Sequence, residues 1–292
     1  MLWRAGATIA AALAALVAAG PAAAQTQQAT AVSSNWAGYA VAGSDAVSSD
    51  GSAATSSSTT FTRVSGSWVQ PKASCTTAAE TYAAFWVGLG GFASDSQALE
   101  QVGTETDCNA DGTATYSAWY ELVPAPPVTV KLKVRPGDTV SASVQVTGTT
   151  VTLKLVNATR HTSFAKNVTV AEPDLSSAEW IAEAPSSCTS WGRCQTLPLT
   201  NFGTVTFRNA YATANGHTGP ISDPAWSPVA VLLRATRFSR FFVVDESAAG
   251  ATPAALSATG SSFSVAYEAD AAVPPGQTPT PDPGDGGLGV FR

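Results

Sequence analysis

The chain runs to 292 residues, only 12% of them charged, with a formal net charge of −6. Its 15 Lys and Arg are scattered, without the basic stripe of a nucleic-acid surface, so no nucleic-acid partner is indicated. The length suits one large β domain or two small ones, and with so few charges solubility falls to Ser, Thr, Gly and Asn, a pattern of exported β proteins rather than cytosolic helical ones.

In chain order, Met1-Leu2-Trp3-Arg4 is a short basic start, Ala5 to Gly20 is an apolar Ala-rich run, and Pro21-Ala22-Ala23-Ala24 offers small residues at both determining positions of an A-x-A site. Residues 1–24 read as a secretory signal peptide cleaved after Ala24. The mature protein is therefore expected outside the cell, with no membrane attachment. An uncleaved anchor fits less well, because the apolar run is short and no second span follows it.

The rest, 25–270, reads as one domain of short strands. Strands are expected at Asn35–Val41, Phe61–Val69, Tyr82–Leu89 and Thr113–Leu122, with a Ser/Ala/Gly/Thr-rich loop over 43–60 between the first two. Gly88-Leu89-Gly90-Gly91 follows Trp86-Val87 in a β context and reads as a bend where chains approach closely, not a phosphate cradle. Val128 to Val134 alternates apolar and polar residues, Arg135-Pro136-Gly137-Asp138 is a turn, and Thr139 to Thr147 alternates again. After Gly148-Thr149-Thr150 the pattern resumes with Val151, Leu153 and Leu155 on one side. Further strands are expected at Ser163–Val170, Ser177–Ala182, Gly203–Arg208, Ala230–Leu233, Phe241–Val244 and Ser262–Tyr267, ahead of a Pro/Gly-rich tail over 271–292. Many short strands and no helical period predict an all-β, antiparallel two-sheet sandwich.

Four cysteines, Cys75, Cys108, Cys188 and Cys194, form an even set in an exported chain and read as two disulfides. Cys188 with Cys194 would close a short loop, leaving Cys75 with Cys108, although three pairings are possible. No CxxC occurs and neither histidine is near a Cys, which argues against zinc. Asn157-Ala158-Thr159 and Asn167-Val168-Thr169 are glycosylation sequons.

Chemistry is narrowed by exclusion. His161 and His217 lie among polar turn-like residues, and no Gly-x-Ser-x-Gly, HExxH, P-loop or strand-linked GxGxxG is present. Carboxylates and amides remain. Glu100, Glu105, Glu121, Glu179 and Glu183 fall in or beside strands, with Gln101 among them and Trp36, Trp68, Trp86, Tyr116, Trp119, Tyr120 and Trp180 interleaved. On an extended strand, Glu179, Ile181 and Glu183 share one face and Ala178, Trp180 and Ala182 the other. Two carboxylates on one face repel unless relieved, and aromatics alternating with acids suit a groove for an extended polymer, peptide or sugar.

Ser34-Asn35-Trp36-Ala37-Gly38, Phe85-Trp86-Val87-Gly88, Leu99-Glu100-Gln101-Val102-Gly103, the run from Asp111 to Glu121, and Ala178-Glu179-Trp180-Ile181-Ala182-Glu183 together resemble the glutamic peptidases, or eqolisins, of the scytalidoglutamic type. The resemblance runs from about Ser33 to about Tyr267 in unbroken order. It implies a lectin-like (concanavalin A-like) sandwich with a substrate groove on one concave sheet. It also implies endopeptidase activity at acidic pH through a Gln/Glu dyad, on protein or peptide substrates, by a monomer needing no metal or cofactor.

The dyad falls on Gln101 and Glu183. Trp36, Trp86, Trp119 and Glu121 match groove or supporting positions, with Glu105 and Glu179 beside them. Glu105 stands where the fungal pattern has Asp, and Gly90 and Ser117 replace two further Asp residues, which changes the acidity of the groove. Little chain separates Ala24 from Ser33, so a propeptide of the fungal kind is not expected. Two rival readings share the groove: a lectin-like module that binds glycan without cleavage, and a glycoside hydrolase pairing Glu121 with Glu183.

Overall fold

The computed structural model describes residues 29–44, 58–77, 79–93, 95–188, 194–234 and 249–271. The expected signal peptide, most of the 43–60 loop, the expected strand Phe241–Val244 and the Pro/Gly-rich tail lie outside the described residues.

No helix occurs among the described residues. One layer carries β2 (Trp36–Ala42), β4 (Thr81–Gly90), β5 (Leu99–Cys108), β6 (Ala114–Val123), β7 (Val128–Thr129), β11 (Ser177–Glu183), β16 (Ser227–Arg234), β17 (Gly250–Pro253) and β18 (Phe263–Glu268), in the order β18-β17-β16-β2-β11-β4-β5-β6-β7. The second layer carries β3 (Phe61–Val69), β8 (Thr139–Thr147), β9 (Thr150–Asn157) and β10 (Thr162–Thr169), in the order β10-β9-β8-β3. β14 (Thr204–Ala214) belongs to both: Thr204–Phe207 pairs with β18, and from Arg208 onward the strand pairs with β3. The switch falls at an irregularity containing Asn209 at φ 50°. A short hairpin joins β12 (Ser186–Cys188) to β13 (Cys194–Thr196), β1 (Ala29–Ser33) lies parallel to β16, and β15 (His217–Pro220) pairs with β14.

The layers meet face to face where β3, β8 and β9 cover β4, β5 and β11. Alternation explains β8 and β9. Val140, Ala142, Val144, Val146, Val151, Leu153 and Leu155 are buried in the core, and Thr147 pairs with Thr150 across a tight turn at Gly148, φ 60°. Trp68 and Trp180 fill the centre fully buried, and each finds a partner for its indole N–H in the opposite layer. Trp68 donates to Thr104 Oγ1 at 3.0 Å and Trp180 to the Ser65 carbonyl at 2.8 Å. Gln70 adds a third cross-layer bond, to Thr106 Oγ1 at 2.6 Å.

Several elements differ from expectation. The run Val128–Val134 pairs only over Val128–Thr129. Val128 is 43% exposed, whereas Leu132 and Val134 are buried, because the segment leaves one layer to reach the other. β5 has no alternation to reveal it, being covered on both faces. His217 does not sit in a loop but opens β15, since Asn215 (φ 50°) and Gly216 (φ 81°) form the two-residue turn of a hairpin. β1 and β17 carry too little pattern to be read in advance. Cys75 and Cys108 are bonded, Cα–Cα 5.3 Å, and the β12–β13 register sets Cys188 opposite Cys194. Asn157, the acceptor of one sequon, is buried and donates to the Lys133 carbonyl and to Asp138, so it is closed to a glycan.

Candidate active site

Strand register alone assembles the outer face of the first layer into rungs. One rung runs Ala40, Glu179, Gly88, Gln101, Glu121 across β2, β11, β4, β5 and β6; the next runs Gly38, Ile181, Trp86, Gly103, Trp119; the third runs Trp36, Glu183, Ala84, Glu105, Ser117. All eight residues expected at the dyad and groove, Trp36, Trp86, Gln101, Glu105, Trp119, Glu121, Glu179 and Glu183, therefore lie on one face. All are buried. The other aromatics sort differently. Trp68 and Trp180 belong to the core between the layers, Tyr120 stacks on Phe164 there, and the Tyr116 hydroxyl accepts the backbone N–H of Ala73.

Gln101 and Glu183 stand two rungs apart, four residues along the strand direction, or about 13 Å in a flat sheet. Trp86 spans the interval. Its Nε1 donates to Glu183 Oε2 at 2.6 Å, and its Cζ3 edge lies over Gly88, where an added Cβ would come within 2.8 Å of it. Gly88 is thus required by the indole's position. Trp36 meets Trp86 edge-on, 5.0 Å between centroids at 77°, and Ile181 and Trp119 complete the apolar floor.

Glu183 Oε1 receives Asn35 Nδ2 at 3.2 Å. Donors from both Trp86 and Asn35 favour the ionised carboxylate. At the other end, Gln101 Nε2 donates to Glu121 Oε2 at 2.8 Å, while Gln101 Oε1 is buried with no hydrogen-bond partner. Burial pushes the Glu121 carboxyl up to about 9, outweighing the hydrogen bond from Gln101. Glu105 and Asp107, two apart on β5 and so on the same face, are both raised, chiefly by burial, and hydrogen-bond one another; Ser117 also donates to Glu105. A hydrogen bond between two carboxyls requires one of them to keep its proton.

Glu100 points to the other face of β5. Burial, then the charge of Asp174, pushes it up to about 8. Asp174 itself accepts from the backbone N–H of Gly91, from Ser96 Oγ and from the backbone N–H of Ser176, and it fills the space a side chain at Gly90 (φ 80°) would need. Among the described residues no three metal-ligating side chains converge. Sequence reasoning assigned no role to Asn35, Ser33 or Asp107; Asn35 was visible only as part of the Ser-Asn-Trp segment.

Comparison with known proteins decides the family. A model of the peptidase A4 family matches residues 34–230, more than half of the chain. The chain belongs to the peptidase A4 family. Among relatives, this A4 member is 32% identical to aspergillopepsin-2 of Aspergillus niger over 207 residues, covering 65% of this chain and 68% of the relative. Among solved structures it is similar to scytalido-glutamic peptidase with a transition-state analogue inhibitor, at TM-score 0.59 and 25% identity, over 80% of this chain and 98% of that one. A peptide-based analogue complex of the same peptidase matches at TM-score 0.59 and 24% identity, with the same coverage. SCP-B, an eqolisin in complex with the tripeptide Ala-Ile-His, shares the fold at TM-score 0.53 and 23% identity, again over 80% of this chain and 98% of that one. The sandwich of this A4 member is thus an eqolisin fold, and its family supports a protein-hydrolysing function.

Proposed function

We propose that this protein is a secreted endopeptidase that cleaves proteins at acidic pH without a metal, using Glu183 as base and Gln101 as oxyanion donor. The observation that carries the reading is the setting of Glu183: a buried carboxylate receiving Trp86 Nε1 and Asn35 Nδ2, on the same face as Gln101, whose buried amide oxygen is left open. A buried acceptor without a partner is a place for water or a substrate polar group.

Peptide hydrolysis needs an activated water, a stabilised oxyanion and a proton for the leaving amine. Glu183 accepts a proton as water adds to the scissile carbonyl. The Gln101 carbonyl holds that water. Of its two amide N–H groups one is committed to Glu121 and the other is free for the developing oxyanion. Glu183 then returns its proton to the nitrogen as the C–N bond breaks. An amide donates at any pH and adds no charge beside the oxyanion. A glutamate with a free pKa of about 4.3 is partly ionised in mild acid, which is where such a base works. The chemistry asks the tips of Glu183 and Gln101 to converge on a substrate lying over Trp86.

Glu183→Gln and Gln101→Ala should each abolish digestion of denatured casein at about pH 2–5, around the glutamate pKa, with EDTA and aspartic-peptidase inhibitors leaving the wild type unaffected. Full activity in either variant overturns the assignment. One observation favours a second reading of the base: Glu179, not Glu183, shares the rung of Gln101. Loss of activity in Glu179→Gln while Glu183→Gln stays active would transfer the role.

A further inference from the structure

Ser33 carries none of the proposed chemistry, yet its hydroxyl is the hub of the hydrogen bonds behind Glu183. It closes β1, opposite Leu233 of β16, and is only 7% exposed. The backbone N–H groups of Asn35 and Trp36 both donate to Ser33 Oγ, at 3.2 and 3.0 Å. A hydroxyl oxygen has two acceptor positions and one proton to give. With both acceptor positions filled by N–H groups, the proton is left for Asn35 Oδ1, 3.0 Å away. The amide oxygen of Asn35 must then face Ser33 and its NH₂ must face Glu183 Oε1, 3.2 Å away. The reversed amide would set NH₂ against the proton of Ser33 and oxygen against the carboxylate. An amide flip that is ordinarily ambiguous is fixed here by counting donors.

We infer that Ser33 is a positioning residue: it locks the Asn35 amide so that an N–H donor, never an oxygen, faces Glu183, and it thereby holds that carboxylate in its ionised, base-competent orientation. The inference rests on Glu183 being the base. It also gives β1 a task beyond edge pairing, since the strand that ends at Ser33 ties the orientation of the site to the pairing of β1 with β16.

The test uses the full mature protein and the variants Ser33→Ala, Ser33→Thr and Asn35→Asp, assayed on a peptide substrate with melting curves alongside. A misplaced catalytic group costs up to about 100-fold, so Ser33→Ala should lower kcat by about 10- to 100-fold with KM little changed. Its acid limb should move to higher pH, because Glu183 loses a donor that favours its ionised form. Ser33→Thr, which keeps the hydroxyl, should recover most of kcat. Asn35→Asp, near-isosteric but without NH₂, should move the acid limb furthest. The inference is overturned by a Ser33→Ala enzyme with kcat within twofold of wild type, by one that is slow with an unmoved acid limb, or by a folded Ser33→Thr no better than Ser33→Ala. Should Ser33→Ala lack a melting transition, Asn35→Asp decides, and an unmoved acid limb there overturns it. An inactive wild type overturns the proposed function itself, a different outcome from an active wild type indifferent to Ser33.

Discussion

Glu121 is an acid rather than a carboxylate throughout the range in which a glutamate base would work, because burial pushes it up to about 9. That makes it a neutral clamp for the Gln101 amide, whose Nε2 N–H it accepts at 2.8 Å. A neutral clamp can be replaced by a neutral amide. Glu121→Gln should keep peptidase activity within severalfold, whereas Glu121→Leu leaves a buried amide N–H unpaired, a loss of about 1–3 kcal/mol, and should cost about tenfold or more in kcat. Steady-state kinetics at the optimum pH separates the two, and an inactive Glu121→Gln would mean that the ionised form is needed. At this scale the sequence was informative about residue type and blind to state. Residue type alone does not rank Glu100, Glu105, Glu121, Glu179 and Glu183. Glu121 and Glu183 are both buried, and what separates a proton-holding Glu121 from a donor-held Glu183 is the set of donors brought to each, Gln101 for the first and Trp86 with Asn35 for the second, a property of the packed molecule.

Strands differ in how openly their sequence declares them, and the reason is how many of their faces are covered. β8 and β9 are covered on one face, so their Val and Leu alternate with Ser, Thr and Lys and could be read directly. β5 is covered on both, and its buried residues include Glu100, Gln101, Thr104, Glu105 and Thr106, which no period-two pattern singles out. The most informative strand for function was thus the least visible as a strand. The layers it joins are held by Trp68, fully buried and bonded to Thr104. Trp68→Ala should destabilise the fold by about 3–5 kcal/mol, read as a lowered urea midpoint, and a change under about 1 kcal/mol would show that the layers are not held there. Cys75–Cys108 closes a span of 33 residues between the segment that follows β3 and the end of β5. Chain-entropy reasoning assigns such a loop about 3–4 kcal/mol, so reduction should lower the melting temperature without touching the sheet face that carries Gln101.

For the molecule as a whole, the raised carboxyls set the sign of its pH response. Glu100, Glu105, Asp107 and Glu121 keep protons in the folded state that an unfolded chain, at carboxyl values of 3.8 to 4.5, has already lost. Between the unfolded and folded values the native state binds more protons, so stability falls as pH rises. The window opens near 4.5 and extends to about 8 for Glu100 and about 9 for Glu121. Asp138 acts oppositely: burial alone would raise it, but hydrogen bonds from Arg160 and Asn157 win and lower it, so its contribution is lost only as pH drops below its unfolded value of 3.8. Calorimetry should show the highest melting temperature near pH 4 and a steady decline to pH 8. A melting temperature that rises over that interval would contradict the buried, protonated state of these groups. A fold most stable in mild acid is what the acid peptidase proposed above requires.

By itself the sequence determined the all-β class, the family, and the alternation that sends Glu179, Ile181 and Glu183 one way and Ala178, Trp180 and Ala182 the other, because these depend on residue type and on a period of two. Tertiary structure decided the rest. It alone set the rungs that bring Trp36, Gln101 and Glu183 from β2, β5 and β11 to one face, placed Trp86 between the two members of the proposed dyad, and counted the donors around Ser33. Register between distant strands is fixed by packing both faces at once, and no local pattern encodes that.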